Sequence, residues 1–185
     1  NAFLSVLLAI FFIFLYILLR FRNIGFSVGS IVGLVLDTTI VIGFFSLCYG
    51  WIGFLLEIDQ TFIGAILTVI GYDINDTVVV YDRIRENLRN HRHNLAKADI
   101  QEIFNSSINQ TLSRTINTSV STLIVLVSIF ILGGDSIRSF AFAMIIGIII
   151  GTLSSIFIAS PVAYLVLGKR IEKRSHELAE APAEA

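Results

Sequence analysis

Long apolar stretches separated by polar connections dominate the chain. A bilayer core about 30 Å thick requires about 20 mostly apolar residues per helix. Five stretches meet this requirement and are the predicted membrane spans: 2–19, 25–50, 60–81, 112–132 and 139–167. The pattern therefore predicts an all-α integral membrane protein, a bundle of five transmembrane helices.

The longest polar segment, residues 82–111, separates the third and fourth spans. Its first part, "YDRIRENLRNHRH", is interpreted as a solvated continuation of the third helix. Apolar residues then recur at helical spacing, which favours an amphipathic helix near 94–108 on the cytoplasmic interface, although an ordinary helical connector explains the same spacing. The chain is thus divided into a transmembrane bundle, 1–168, and a polar cytoplasmic tail, 169–185, which has little to bury.

Composition agrees with a membrane protein and excludes several other classes. Of the 185 residues, 55% are hydrophobic and only 15% are charged, and the mean hydropathy is +0.83, whereas a soluble domain has about 25% charged residues. The net charge of -1 gives no argument for binding to nucleic acid. The single cysteine and the spacing of His91 and His93 predict neither a disulfide framework nor a metal site.

The basic residues predict one orientation in the membrane. With five spans, twelve of the 13 lysine and arginine residues fall on one side, and only Arg138 falls on the other. Because cytoplasmic loops carry the excess of positive charge, we expect residue 1 outside and the C-terminus in the cytoplasm. The chain opens with Asn1 and enters an apolar run at once, and residue 1 is interpreted as an internal boundary of a longer protein.

Three carboxylates interrupt the apolar spans. Asp37 lies about halfway along the second span, and Asp73 and Asp76 lie near the cytoplasmic end of the third. An ionised side chain near the bilayer centre costs about 2.5–3.5 kcal/mol, so such residues are candidates for function. The alternatives are a structural ion pair for Asp76 and a local hydrogen bond for Asp73.

Polar residues also follow one stripe of the fourth span: Ser107, Gln110, Arg114, Thr118, Ser121 and Ser128, with Asn117 at its edge. We expect this stripe to face a bundle interior or a wetted path. Arg114 and Asp76 lie at comparable depth, which permits an ion pair, although Arg114 can also snorkel to the interface. On the third span, a weakly polar face of Gly64, Thr68, Gly71 and Asn75 is suited to helix contact. Glycines four apart, at 25, 29 and 33 and at 147 and 151, predict close helix packing.

The segments "GYDINDTVVVYDRIREN" and "NQTLSRTINTS" resemble the SecF family of the bacterial SecD–SecF protein-export accessory complex, in the resistance-nodulation-division superfamily. The resemblance extends from "LYILLRFR" through "GFFSL" to "ASPVAYLVLGKR". It implies helices two to six of a six-helix half-module, without the first helix and the external domain that follows it. It further implies a multi-pass protein of the bacterial cytoplasmic (inner) membrane.

The same resemblance implies a function driven by the proton-motive force. Protons moving through the SecD and SecF membrane halves are thought to drive external domains that assist late steps of polypeptide export. The implied partners are SecD, the SecY channel, the translocating polypeptide and the lipid bilayer, with protons as the coupling ion and no other cofactor. The candidate residues of the proton pathway are Asp76, Arg114, Asp37, Asn75, Thr118, Ser121 and Asp73.

Two positions depart from the family pattern. Leu36 stands where a histidine is usual, and Asp73 stands where a serine is usual, which adds a carboxylate that can change how its neighbours titrate. Two other functions remain open. One is a proton-coupled exporter of small molecules or lipids from the same superfamily; the other is an intramembrane aspartyl protease with Asp37 and Asp76 as a dyad. The sequence lacks the Gly-X-Gly-Asp element of such proteases, so we expect no enzyme.

Overall fold

A computed structural model describes residues 2–48, 60–90 and 100–168. Helices account for nearly all of them: α1 (Ala2–Phe21), α2 (Ile24–Cys48), α3 (Gln60–Asn90), α4 (Ile100–Leu132) and α5 (Asp135–Ser154). A π-helical turn, Ser155–Ala159, follows α5 directly, and the helix continues over 160–168. The predicted all-α bundle is confirmed.

Within the described ranges, four helical segments are long and apolar enough to cross a membrane: Ile24–Cys48, Gln60–Asn90, Ile100–Leu132 and Ile137–Gly168. In α1, the apolar segment Phe11–Phe21 is shorter, so the crossing of the membrane by α1 stays a prediction. As expected, α3 continues well past the predicted span, to Asn90.

The predicted interfacial helix is not a separate element in the part that the structure describes. Residues 100–108 form the first turns of α4, which runs on into the span without a break, while residues 94–99 lie outside the described residues. The tail over 169–185 also lies outside them.

The turn between α1 and α2 is set by two residues. Arg22 has a left-handed φ of 51°, and its N–H donates to the Leu18 carbonyl at 2.7 Å, which closes the end of α1. Asn23 then caps α2, because its Oδ1 accepts the Gly25 N–H at 3.0 Å. The tight turn makes α1 and α2 neighbours.

Glycines bring the helices into close contact. A Cβ on Gly147 of α5 would lie 2.7 Å from Val69 Cγ1 on α3, and a Cβ on Gly29 of α2 would lie 2.7 Å from the Ala159 carbonyl oxygen. Gly25 and Gly33 similarly face Leu167 and Ala159. The predicted role of these glycines in close packing is confirmed.

The π-helical turn lies against α2 and α3. Pro161 has no N–H to donate to the carbonyl one turn earlier, which favours a local break in the regular ladder. Two side chains supply other donors here: the Tyr81 hydroxyl donates to the Ala159 carbonyl at 2.8 Å, and the Ser160 hydroxyl donates to the Ser155 carbonyl at 2.7 Å. Tyr81 is fully buried beside Phe26, with ring centroids 4.7 Å apart.

Polar contacts join the helices at one end of the bundle. Arg20 of α1 pairs with Asp82 of α3 at 2.6 Å. Arg83 of α3 donates to Gln110 of α4 at 2.5 Å, and the neighbouring Asn87 donates to Ser107 at 2.8 Å. Basic residues that the sequence assigns to one side of the membrane therefore lie at the same end of the fold.

Candidate functional site

Three carboxyl groups are buried in the membrane-spanning part of the bundle. Asp37 of α2 is 2% exposed, and Asp73 and Asp76 of α3 are 3% and 4% exposed. Asp73 and Asp76 are three residues apart and therefore lie on the same side of α3. All three carboxyl groups are thus enclosed by the chain's own helices.

Asp37 and Asp73 are neighbours. The carboxyl group of Asp37 lies beside Asp73 of α3 and Ser154 at the end of α5. A Cβ on Gly151 would lie 3.2 Å from Asp73 Oδ1, and a Cβ on Gly33 would lie 3.5 Å from Ser154 Oγ. Small residues on α2 and α5 therefore leave the space that the two carboxyl groups occupy.

This arrangement differs from the dyad that the protease alternative requires. That alternative joins Asp37 to Asp76, whereas the carboxyl group that interacts with Asp37 is that of Asp73. Helical geometry explains the difference. Asp73 lies nearly one helical turn farther than Asp76 from the end of α3 at which Arg83 contacts α4, and this position brings it beside Asp37. Sequence spacing on one helix does not reveal which acid meets α2.

Asp76 is the carboxyl group on which Arg114 acts electrostatically. The two residues do not form the ion pair that their matching depth permits: the ion pairs within 4 Å in the described ranges are Arg20–Asp82, Arg83–Glu86 and Arg138–Asp135. Oδ2 of Asp76 is buried and accepts no hydrogen bond from the described residues. Arg114 lies near Asp76 but its side chain is exposed at the surface of the bundle.

Most of the predicted stripe on α4 lies outside this chain's own bundle, so its facing a wetted path or a partner stays a prediction. Its first residue, Ser107, is buried, but the residues beyond it are exposed: Gln110, Arg114, Thr118, Ser121 and Ser128, together with Asn117. The hydroxyls of Thr118 and Ser121 donate to carbonyls four residues earlier in α4, at 3.1 and 2.7 Å. These polar groups are satisfied locally, so the fold of this chain does not need to bury them.

A different row of hydroxyl residues packs inside the bundle. Thr111, Thr115 and Ser119 of α4 are buried, and the Ser119 and Thr152 hydroxyls are 2.7 Å apart, joining α4 to α5. Their spacing of four residues, continued from Ser107, is visible in the sequence. The sequence analysis missed this row because it weighted the stripe that contains the charged residue.

The weakly polar face of α3 is also open. Thr68, Gly71 and Asn75 are exposed, and no atom lies within 4 Å of a Cβ built on Gly64 or Gly71. The predicted helix contact is therefore absent from the described part of the chain. Together, Thr68, Gly71 and Asn75 of α3 and Arg114, Thr118 and Ser121 of α4 are called the open polar surface.

Comparison with known proteins decides the family. The family described as "Protein export membrane protein SecD/SecF, C-terminal" matches residues 1–169. The chain belongs to this family.

Relatives in the family share much of the sequence. The protein translocase subunit SecF of Rhodothermus marinus is 52% identical over 175 residues, which cover 94% of this chain and 55% of that protein. The protein of the same name from Petrotoga mobilis is 43% identical over 166 residues, covering 90% of this chain and 51% of the relative. The chain thus spans about half the length of the curated relatives it matches.

A solved structure of the family has the same fold. A crystal structure of SecDF in a super-membrane-facing form matches with a TM-score of 0.80 and 40% sequence identity, covering 96% of this chain and 23% of that one. At this identity the likeness extends to sequence as well as fold, so the helix arrangement described above is that of the family.

The two departures from the family pattern lie in different surroundings. Leu36, where the resemblance implies a histidine, is 40% exposed on α2. Asp73, where the resemblance implies a serine, lies among them. Of the two positions, Asp73 is therefore the one that contributes to the buried cluster.

Proposed function

We propose that this chain is the proton-conducting membrane half of a Sec protein-export accessory protein, which uses the proton-motive force to assist late steps of polypeptide export. The observation that carries the proposal is the burial of Asp37, Asp73 and Asp76 in membrane-spanning helices of a chain whose relatives are named protein translocase subunits. A buried carboxyl group can bind and release a proton, and no bond chemistry is required.

The proposed driving force is sufficient for a mechanical role. Moving one charge through a potential of 100 mV supplies about 2.3 kcal/mol, so a few protons per cycle can change the relative stability of two conformations. Asp76 is the proposed carrier, with Arg114 nearby as a fixed positive charge. Asn75, Thr118 and Ser121 supply polar groups beside this pair on the open polar surface.

The proposal includes an orientation and a set of partners. The chain lies in the bacterial cytoplasmic membrane with residue 1 outside, as the distribution of basic residues suggests. SecD, separate or fused, packs against the open polar surface, since polar groups in membrane helices usually face other helices or water. The SecY channel and the translocating polypeptide are the functional partners.

Replacement of Asp76 by asparagine tests the proposal. Asp76→Asn retains size and polarity but cannot titrate, so the full-length protein should insert normally and lose the gradient-dependent part of export in inverted membrane vesicles. Asp82→Asn is the matched control, because Asp82 is exposed and pairs with Arg20 outside the buried cluster. Export that responds to the gradient equally in Asp76→Asn and in wild type would exclude Asp76 as the carrier.

A second arm of the same experiment separates polypeptide export from the transport of small molecules or lipids. Vesicles that hold the wild-type complex are supplied with a preprotein or with a fluorescent drug or lipid under the same gradient. We expect gradient-dependent movement of the preprotein only. Gradient-driven drug or lipid efflux that Asp76→Asn abolishes would favour the exporter instead.

A further inference from the structure

Asp37, Asp73 and Ser154 meet at the junction of α2, α3 and α5. Each is nearly inaccessible, with exposures of 2%, 3% and 2%, and Asp37 lies beside both of the others. Gly33 and Gly151 border the cluster and leave it room. Three helices thus bring polar oxygen atoms together in an otherwise apolar interior.

These oxygen atoms lack hydrogen-bond donors. Both carboxyl oxygens of Asp37, Oδ1 of Asp73 and Oγ of Ser154 are buried and have no hydrogen-bond partner among the described residues. Buried polar groups in folded proteins are nearly always paired, and two adjacent carboxylates cannot both remain ionised in such a site without a large cost. Among the described residues, the cluster therefore holds one hydroxyl donor, that of Ser154, for two carboxyl groups, and no positively charged side chain forms an ion pair with either acid.

The charged residues around the cluster do not supply hydrogen-bond donors to Asp37 and Asp73. On α3, Asp76 acts on Asp73 as a further negative charge, and Tyr81 is near enough to interact electrostatically with Asp73. Arg114 of α4 acts on Asp76 and is exposed. The segment from α5 through the π-helical turn contributes Ser154 and other hydroxyls.

We propose that Asp37 and Asp73 form a single proton-binding site, in which two carboxyl groups share one proton, and that this site is distinct from Asp76 and Arg114. The O–H of one acid donates to the carboxylate oxygen of the other, and the Ser154 hydroxyl donates to Asp37. One bound proton thus supplies the missing donor and lowers the charge of the pair from −2 to −1. Acids that interact this strongly titrate as a pair rather than singly.

The site deepens the proposed function and rests on it, because it adds a second proton position to the same membrane half. Asp73 lies one turn from Asp76 on α3, so the charge of the pair acts directly on the proposed carrier. Asp37 and Ser154 connect that charge to α2 and to the start of the π-helical turn. A change in the protonation of the pair therefore changes the electrostatic interactions at the contact of α2, α3 and α5.

Infrared spectroscopy of the full-length protein, purified with SecD, tests the shared proton. The C=O stretch of protonated carboxyl groups is recorded at several pH values for wild type, Asp37→Asn, Asp73→Asn and the double variant. We expect a wild-type band that is lost in either single variant, where the remaining acid absorbs at a shifted frequency, and no carboxylic-acid band from the pair in the double variant. Asp82→Asn should leave the wild-type band unchanged.

Several results would contradict the proposed shared-proton site. A wild-type band that persists unshifted in one single variant would show two independent acids, and a spectrum in which neither variant changes a protonated-acid band would show no bound proton. Loss of the band when sodium replaces potassium at constant pH and ionic strength would show a cation site instead. Asp73→Ser, which is smaller and polar, serves as a second variant if Asp73→Asn unfolds, and it should lose the same band.

The outcome is separable from that of the proposed function. Export that ignores the gradient in wild type would overturn the proposed function whether or not the shared-proton band is present. A wild-type spectrum without the band, together with normal gradient-dependent export, would overturn the pair alone.

Discussion

Gly29 lies where α2 passes closest to the π-helical turn. A Cβ at this position would meet the Tyr81 hydroxyl and would lie 2.7 Å from the Ala159 carbonyl. Gly29→Ala should therefore destabilise the protein by about 1–3 kcal/mol, the usual cost of overpacking, in reversible unfolding from detergent micelles. Gly43→Ala on the same helix is the control, because that position is open and alanine favours helix there. Equal stability of the two variants would contradict the close approach of α2 to Tyr81.

Arg114 contributes a charge near Asp76 without forming an ion pair with it. Arg114→Lys keeps the charge and loses the planar guanidinium, so gradient-dependent export in inverted vesicles should fall partly. Arg114→Met keeps much of the side-chain length without the charge and should lose that export entirely. If Arg114 merely snorkels to the interface, the methionine and lysine variants should export alike.

The buried acids were easier to predict than their neighbours. Asp37, Asp73 and Asp76 stand out in the sequence because charged groups are rare in apolar spans, and all three are buried. The proximity of Asp37 to Asp73 could not be predicted, since it depends on how α2 is rotated against α3. The row through which α4 packs, Thr111, Thr115 and Ser119, was missed for a similar reason, because the rotation of α4 against α5 is not visible in the sequence.

The packing of α3 against α5 depends on their close contact at Gly147. In lipid, helices associate largely through close van der Waals packing, and a Cβ on Gly147 would overlap the branched side chain of Val69. Gly147→Ala should destabilise the bundle, and adding Val69→Ala should recover part of the loss, with a coupling energy of about 0.5–3 kcal/mol in a double-mutant cycle. Gly71→Ala on the open side of α3 should be nearly neutral. Strictly additive effects of the two substitutions would show that α3 and α5 do not meet there.

The extents of the helices were predictable where hydropathy or helical periodicity is strong. The continuation of α3 to Asn90 follows from the charged but helix-compatible run after Tyr81. Two features required the structure: α4 already begins at Ile100 and is continuous with its span, and a π-helical turn interrupts the segment after α5. Pro161 signals a disturbance in that helix, but the hydrogen bond from the Tyr81 hydroxyl to the Ala159 carbonyl could not be predicted from the sequence.

On α3, the exposed residues of the open polar surface lie nearly opposite Asp73, while Asp76 lies between these two faces. α3 presents Asp73 and Asp76 inward, while Thr68, Gly71 and Asn75 remain exposed. Polar hydroxyls that bond to their own helix tolerate lipid, but the exposed Arg114 on neighbouring α4 is costly there unless it reaches water or another protein. The bundle therefore has one surface whose chemistry suits a partner helix.

The last prediction is that this surface contacts SecD. A photo-crosslinking phenylalanine analogue is placed at Thr68, Thr118 or Ser121 in the full-length protein, and SecD is expected to be the crosslinked product at each position. The same analogue at Phe157, an exposed apolar side chain on the π-helical turn, should give no SecD adduct, because an apolar surface of that kind is suited to lipid. Crosslinks to SecD from Phe157 and not from the three polar positions would place the partner elsewhere. Arg114 would then be exposed to water or lipid headgroups in the assembled complex. Its proposed electrostatic effect on Asp76 would then involve no contribution from SecD.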